Sequence, residues 1–383
     1  YWRDWSSDVC SSDLVWPGHP DKIADAIADR IVDAGRRLHP RSLVGIEVAV
    51  HQDRVFVDGR VGGPGSGSLD IDGIVRQTFA ELGYSQVFCP APEDLRIDTD
   101  LRLDDLFPGE IEYREVSDDQ SIITGWATTR LGTHGLPCEH ALARYIAIGL
   151  WRLRIDRPEL GLGPDGKIFV TIRENDDGSS CAVDDITASI QHPEDWDGTS
   201  ALGILGQAVL QLLHQFANGV PGFWIPDDWT LNINPLGDFI DGGPWGDNGL
   251  SGKKLVADFY GPRVPIGGGA MSGKDFWKVD RAGPLIARDL ANIAAHHFGL
   301  GECLVTLGIR PGDRAFRVIR IEDENRTAID VARAQSLTDL RLKSRGNWPA
   351  SNGPLEEVAR WGHFAPLPGF QGASFPTTTT VAA

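Results

Sequence analysis

The order in which helical and strand patterns alternate is what most limits the folds open to this chain. Over Pro20 to Leu38 the apolar residues Ile23, Ile27, Ile31 and Ala24, Ala28, Val32 fall at helical spacing, with Asp25, Asp29 and Asp33 on another face. The pattern predicts an amphipathic helix. Pro20 suits its first position, because the N–H it lacks would be unpaired there. Residues 43–50 and 54–57 read as two strands around a Gln52-Asp53 turn, and 71–83 returns to helix. A similar mixture recurs, with helix at 140–153, strands at 168–173 and 182–191, and helix at 202–216. A third round has a strand at 230–234, a helix at 284–297 and strands at 304–309 and 316–321. Three similar α+β units are predicted, with Pro/Gly-rich joints at 62–67, 158–166 and 219–226.

A chain of 383 residues can house two or three such units around sizeable cores. Its 54 Asp+Glu outnumber 36 Lys+Arg for a net charge of -18, a field that repels a nucleic-acid backbone, so no nucleic-acid partner is expected. Cys10, Cys89, Cys138, Cys181 and Cys303 are scattered and form no C-x-x-C pair, which reads as reduced, structural thiols. No apolar run approaches the roughly 20 residues of a membrane span, and no signal-peptide layout opens the chain. A cytoplasmic protein without a membrane partner is the expectation. Residues 1–14 show neither strand nor helix period and read as a sequencing scar or a disordered stretch, and the Pro- and Thr-rich tail at 366–383 reads as mobile.

Three clusters could carry chemistry. In Gly18-His19-Pro20-Asp21-Lys22, a glycine turn delivers three polar side chains onto the opening turn of a helix. Unpaired N–H groups and Lys22 suit a phosphate there, and Asp21 suits Mg²⁺. An ordinary capped helix start would use similar residues. The second cluster runs from Gly242 to Lys254, with Gly246, Asp247, Gly249, Gly252 and Lys253 between, and the third from Gly267 to Asp280 with Lys274 and Lys278. Glycines let a backbone approach a polyphosphate while lysines neutralise it, although glycine runs also make plain surface loops. A P-loop is rejected, because Asp275 stands where Ser or Thr would hold Mg²⁺ and no apolar strand leads in. Gly63-Pro64-Gly65-Ser66-Gly67 is not a dinucleotide fingerprint and reads as a flexible loop. His296, His297 and the Cys138-Glu139-His140 run lack a second ligand pair, so no zinc site follows. They read as helix-surface histidines and a structural cysteine.

In this order the clusters resemble the S-adenosylmethionine synthetase (methionine adenosyltransferase) family. The resemblance spans about residues 15–323: GHPDK at 18, DDQSIITGWAT at 118–128, LGPDGK at 162–167, SIQH at 189–192, INPLGDFIDGGPWGDNGLSGKK at 233–254 and GGGAMSGKDFWKVDR at 267–281, with a further echo in WGHF at 361. It implies an α+β fold of three similar α/β-sandwich units related by pseudo-threefold symmetry, here 15–100, 118–228 and 229–365, with a mobile loop at 101–117. It also implies subunits that pair so that each active site is lined by both. The implied reaction is attack of methionine sulfur on the 5′ carbon of ATP, then hydrolysis of the tripolyphosphate, with Mg²⁺ and K⁺ as cofactors. By this resemblance Asp21 and Asp280 match Mg²⁺ ligands and Glu47 the acid near K⁺. His19, Lys167 and Lys274 match the catalytic positions. Lys22, Lys253, Lys254, Lys278, Asp119, Asp247 and Phe239 match ATP contacts, the last an aromatic that stacks on adenine, and Asp247 and Lys278 also adjoin the amino acid.

Two departures concern that amino acid. The family has a glutamate at the position of Arg60, and Arg102 occupies the region of a glutamine. An arginine favours a carboxylate and repels an ammonium, so methionine, a different thioether acid, or a non-catalytic ATP-binding partner of a related synthetase are all compatible with the sequence. A solvent-facing Arg60 would leave the pocket unaffected. Lys253 stands where the family has arginine, Asp13 aligns with a glutamate, and the residues at 307–315 depart from the family pattern.

Overall fold

A computed structural model describes residues 7–175, 179–346 and 354–364 of the chain, so residues 1–6 and the tail at 366–383 lie outside it. In chain order the elements are β1 (Ser7–Val15), α1 (Pro20–Leu38), β2 (Leu43–His51), β3 (Arg54–Gly62), α2 (Ile71–Leu82), β4 (Arg96–Asp104), β5 (Ser121–Thr128) and α3 (Cys138–Asp156). There follow β6 (Gly166–Asn175), β7 (Cys181–Ile190), α4 (Gly198–Gly219), β8 (Phe223–Trp224), β9 (Thr230–Ile233) and β10 (Gly249–Leu250). The last are α5 (Val279–Phe298), β11 (Glu302–Ile309), β12 (Arg317–Asp323) and α6 (Leu355–Trp361).

The strands form three sheets. One runs β10-β2-β3-β4, a second β1-β6-β7-β8 with β9 also on β7, and a third β12-β11-β5. Each buries one face. In β2 the residues Val44, Ile46, Val48 and Val50 point inward, as a period of two requires, and meet Ile23, Ile27 and Ile31 of α1. Fully burying each such isoleucine stabilises the fold by roughly 1.5–3 kcal/mol. The second sheet packs on α3 and α4, and the third on α5. This is the mixed α+β architecture predicted.

The sheets do not follow the contiguous division at 15–100, 118–228 and 229–365. β1 joins the central sheet, β5 joins the third, and β10 extends the first. Backbone pairing is decided by long-range hydrogen bonding, which a local period does not register. Residues 7–14, expected to be unstructured, form most of β1 and pair along β6 from Ser7↔Asn175 to Val15↔Lys167. At the expected mobile loop, β4 continues through residues 101–104, and Glu110–Tyr113 is a helical turn.

Two side-chain expectations also change. Asp25 and Asp29 lie on no solvent face, since α1 is buried on nearly all sides and both carboxylates are fully enclosed. His140 is not on a helix surface either. It is buried against Ser12, whose Oγ lies 2.9 Å from its Nδ1, whereas His296 and His297 are exposed as expected. All five cysteines are free thiols. No helix among the described residues is long and apolar enough to cross a membrane.

Candidate active site

Strand β2, bordered only by the short β10 on its outer side, organises the site. Gly249 and Leu250 pair with Val50 and Ala49, and further along the same edge Lys274 pairs with Gly45, so both glycine-rich clusters are stitched to one strand. The Ile46 N–H donates to the Gly273 carbonyl at 2.8 Å. Gly273 is required there, since its φ is +83° and a Cβ would sit 2.1 Å from the Ile46 oxygen. Opposite this edge stands the start of α1, with His19 as its N-cap accepting the Asp21 N–H at 3.2 Å. The 162–167 loop presses against it so closely that a Cβ on Gly18 would lie 2.2 Å from the Pro164 carbonyl oxygen.

His19 is 1% exposed. Burial, then the charges of Lys254 and Lys167, push its pKa down to about 3, so the imidazole is neutral at physiological pH. Burial pushes the Asp21 carboxyl up, but the Lys254 ammonium at 2.9 Å and the Leu250 N–H at 3.0 Å outweigh it and leave the pKa lowered. Lys253 lies 3.6 Å from the same carboxylate and 3.1 Å from Asn248 Oδ1. Lys167 is exposed at the start of β6, and Asp247 is exposed within the second cluster. These residues form one group.

A second group surrounds the third cluster. Lys274 Nζ lies 2.7 Å from Asp280 Oδ2, and Ser121 Oγ donates to Asp280 Oδ1 at 3.0 Å. Lys278 caps α5 and pairs with Asp118, which places the exposed Asp119 next to that pair. Phe239 is half-buried, and its N–H donates to His192 Nε2 at 3.0 Å. Glu47 lies on the outer face of β2, accepting the Ser251 hydroxyl at 3.1 Å opposite Asp58.

Three expected contacts stand elsewhere. Lys22 is turned into the interior, where its ammonium binds Asp25 at 3.1 Å and Asp258, and these carboxylates raise its pKa against the effect of burial. It does not reach the glycine loops' open side, because a buried ammonium must be paired where it lies. Arg60 is 17% exposed and forks onto Glu110 at 2.7 and 3.0 Å while reaching Asp104 at 2.8 Å. Arg102 shares Asp104, and both guanidinium groups lie over the Phe107 ring, 4.5 and 4.8 Å from its centre. Neither the solvent-facing Arg60 nor a free substrate guanidinium is what the structure holds.

Sequence reasoning passed over Asp165 and Tyr84. The Asp165 carboxylate accepts the Gly243 N–H at 2.8 Å, its Oδ1 has no hydrogen-bond partner among the described residues, and burial pushes its pKa up to about 6. The Tyr84 hydroxyl donates to the Gly18 carbonyl. Asp165 sits inside the 162–167 motif and could have been read there, whereas nothing local marks Tyr84.

Among the described residues no three His, Cys, Asp or Glu side chains converge to hold a metal ion by themselves. Single hard carboxylates such as Asp21 and Asp280, each beside lysines, nonetheless fit Mg²⁺, which keeps waters and takes phosphate oxygens to complete its shell. Lysines on glycine loops beside carboxylates at two helix starts have the chemistry to hold a polyanion together with a divalent cation. Comparison with known proteins narrows the class. Residues 7–97 match the model of the S-adenosylmethionine synthetase N-terminal domain and residues 241–339 that of its C-terminal domain. The S-adenosylmethionine synthase of Corynebacterium kroppenstedtii is 35% identical over 304 residues, covering 74% of each chain. That of Methylobacterium radiotolerans is 30% identical over 382 residues, covering 96% of this chain and 95% of the relative, and that of Methylorubrum populi is 32% identical over 383 residues with the same coverage. The chain belongs to the S-adenosylmethionine synthetase family.

Proposed function

We propose that the chain is a methionine adenosyltransferase, converting ATP, L-methionine and water into S-adenosylmethionine, phosphate and diphosphate. The observation that carries the reading is the buried His19 at the start of α1, 3.7 Å from Asp21, whose carboxylate also pairs with Lys254 at 2.9 Å. Displacing tripolyphosphate from a carbon leaves about four negative charges on the leaving group, which need fixed donors and cations where the charge grows. His19 would donate from its imidazole to the departing bridging oxygen, while Lys167, Lys254 and Lys274 neutralise the chain of phosphates and Lys253 and Lys278 assist. Asp21 and Asp280 would hold Mg²⁺, which supplies charge neutralisation of the triphosphate when bound, and Glu47 would adjoin K⁺. To meet phosphates, Lys254 and Lys274 would exchange their present carboxylate partners, a change their partial exposure permits. Asp119, Asp247 and Phe239 would line the adenosine and amino-acid side.

Self-association supports a complete site in this reading. Each sheet leaves apolar residues on the face away from its core, among them Phe56, Phe169, Ile122 and Ile319, which are 43–70% exposed. Covering such faces with a second copy is the expected use of them. Three units with boundaries set by the sheets and a cytoplasmic location complete the proposal. Because Arg60 is neutralised by Glu110 and Asp104, its reversed charge does not by itself call for another acceptor. The test is mass spectrometry of products formed from ATP, Mg²⁺, K⁺ and methionine, with phosphate and diphosphate measured alongside. S-adenosylmethionine in step with both phosphates is expected. Phosphate release without the sulfonium would replace methionine with another acceptor, and ATP binding without turnover would leave a non-catalytic partner.

A further inference from the structure

Helix α1 carries a feature that adenosyl transfer itself does not use. Asp21, Asp25, Asp29 and Asp33 fall at four-residue spacing and so stack along one face. Each accepts a backbone N–H from a segment far away in the chain. Leu250 donates to Asp21 at 3.0 Å, Gly252 to Asp25 at 2.7 Å, Gly273 to Asp29 at 2.9 Å and Leu355 to Asp33 at 2.7 Å. The partners are separated by 229, 227, 244 and 322 residues, so none of these bonds is a local turn.

Each rung also has its cation: Lys253 and Lys254 at Asp21, Lys22 at Asp25, Arg281 at Asp29, and Arg36 at Asp33. Asp25 and Asp29 are wholly buried, and a buried carboxylate is costly unless charge and hydrogen bonds compensate it. Solubility therefore cannot explain them. Arg281 ties its rung further into the site, because its Nε donates to the Lys274 carbonyl at 3.1 Å while its other end binds Asp29. The two middle rungs consequently fasten the two glycine-rich loops, one each, to the helix that begins with His19 and Asp21.

We infer that Asp25 and Asp29 are positioning residues, Asp25 fixing the 249–254 loop and Asp29 the 271–275 loop, so that Lys253 and Lys254 stand at a set separation from Lys274. The inference rests on reading those lysines as polyphosphate contacts. Pairing with β2 holds one side of each loop, and the buried aspartate acceptor fixes the other side against α1.

Hydrogen exchange followed by mass spectrometry on the full chain, with ATP kinetics on the same samples, tests this. Asp25→Ala should speed exchange at least tenfold in 249–254 and leave 271–275 unchanged, and Asp29→Ala should do the reverse. In both the KM for ATP should rise at least tenfold, and Asp25→Asn and Asp29→Asn should recover part of that rise, because an amide oxygen still accepts the loop N–H. Equal acceleration of both loops, or Ala and Asn variants that behave alike, would overturn the inference in favour of general packing. Should the Ala variants not fold, the Asn variants still decide: about threefold faster exchange confined to the matching loop upholds it, and no loop-selective change refutes it. Loop-selective exchange with unaltered ATP turnover would instead sink the assignment of the lysines while leaving the positioning role intact.

Discussion

Two charged clusters flank the first sheet and answer to different chemistry. On the β2 edge Lys253, Lys254 and Lys274 face Asp21 and Asp280 from glycine loops, with the lysines 40%, 27% and 23% exposed. On the other side, in register through Gly45↔Arg60 and Arg60↔Arg102, two arginines lock onto Asp104 and Glu110. An ammonium is a point charge that can swing from a carboxylate to a phosphate, whereas a guanidinium fork holds both carboxylate oxygens at once. In the proposed function the first cluster is opened by a polyanion. The second closes on itself and fastens the chain between β4 and the turn at Glu110–Tyr113.

The contrast is broken most directly at the first cluster. Lys274→Ala and Asp280→Asn should each lower ATP turnover by about 10²–10³-fold with unchanged circular dichroism, since each removes charge meant for the triphosphate or its cation. Turnover within threefold of the parent in both would end the site assignment. At the second cluster, Arg60→Glu sets an acid against Asp104 and Glu110. In place of the gain in methionine use that the family pattern suggests, it should free the 105–113 segment to proteolysis and cost roughly 1.5–3 kcal/mol in chemical denaturation. Arg60→Glu combined with Glu110→Arg should restore most of that loss, and failure to do so would mean the fork is not what holds the segment.

A third prediction concerns histidine. His140 is pushed down to about pKa 4 by burial and by Arg144, below its unfolded value of 6.5, so its stabilising contribution is complete above pH 6.5 and is lost as pH falls toward 4. The loss amounts to roughly 3 kcal/mol at most. Asp29 and Asp165, raised to about 6, run the opposite way, so the comparison is His140→Gln against the parent. Relative to the parent, the variant should lose less stability, or gain more, as pH falls from 6.5 to 4 by urea unfolding. An identical profile would remove His140 from the acid response. The smallest effect belongs to Lys253→Arg, which keeps the charge and should change the KM for ATP by less than about threefold.

Much of this was legible in residue order. The period of Ile23, Ile27 and Ile31 located α1 at the bounds it has, Pro20–Leu38, and the glycine and lysine runs marked both loops that meet at β2. Lys22 misled because its place beside His19 and Asp21 on a first helical turn says nothing about the direction of its side chain, which the buried Asp25 and Asp258 decide. Arg60 misled for a related reason, since its partner Glu110 lies 50 residues away.

What the sequence determined by itself is therefore the inventory: the main helices and the strands β2, β3, β6, β7, β9, β11 and β12 from their periods, clusters of glycine, lysine and aspartate in one order, and the family from the full series of motifs, whereas β1, β4 and β5 were not read. The tertiary structure alone decided which strand joins which sheet, that four aspartates of one helix catch four distant N–H groups, and that one arginine cluster is closed while the lysine cluster stays open. Periodicity is a property of neighbours along the chain. Pairing of charges and edges is a property of neighbours in space, fixed only when burial makes every unpaired group costly.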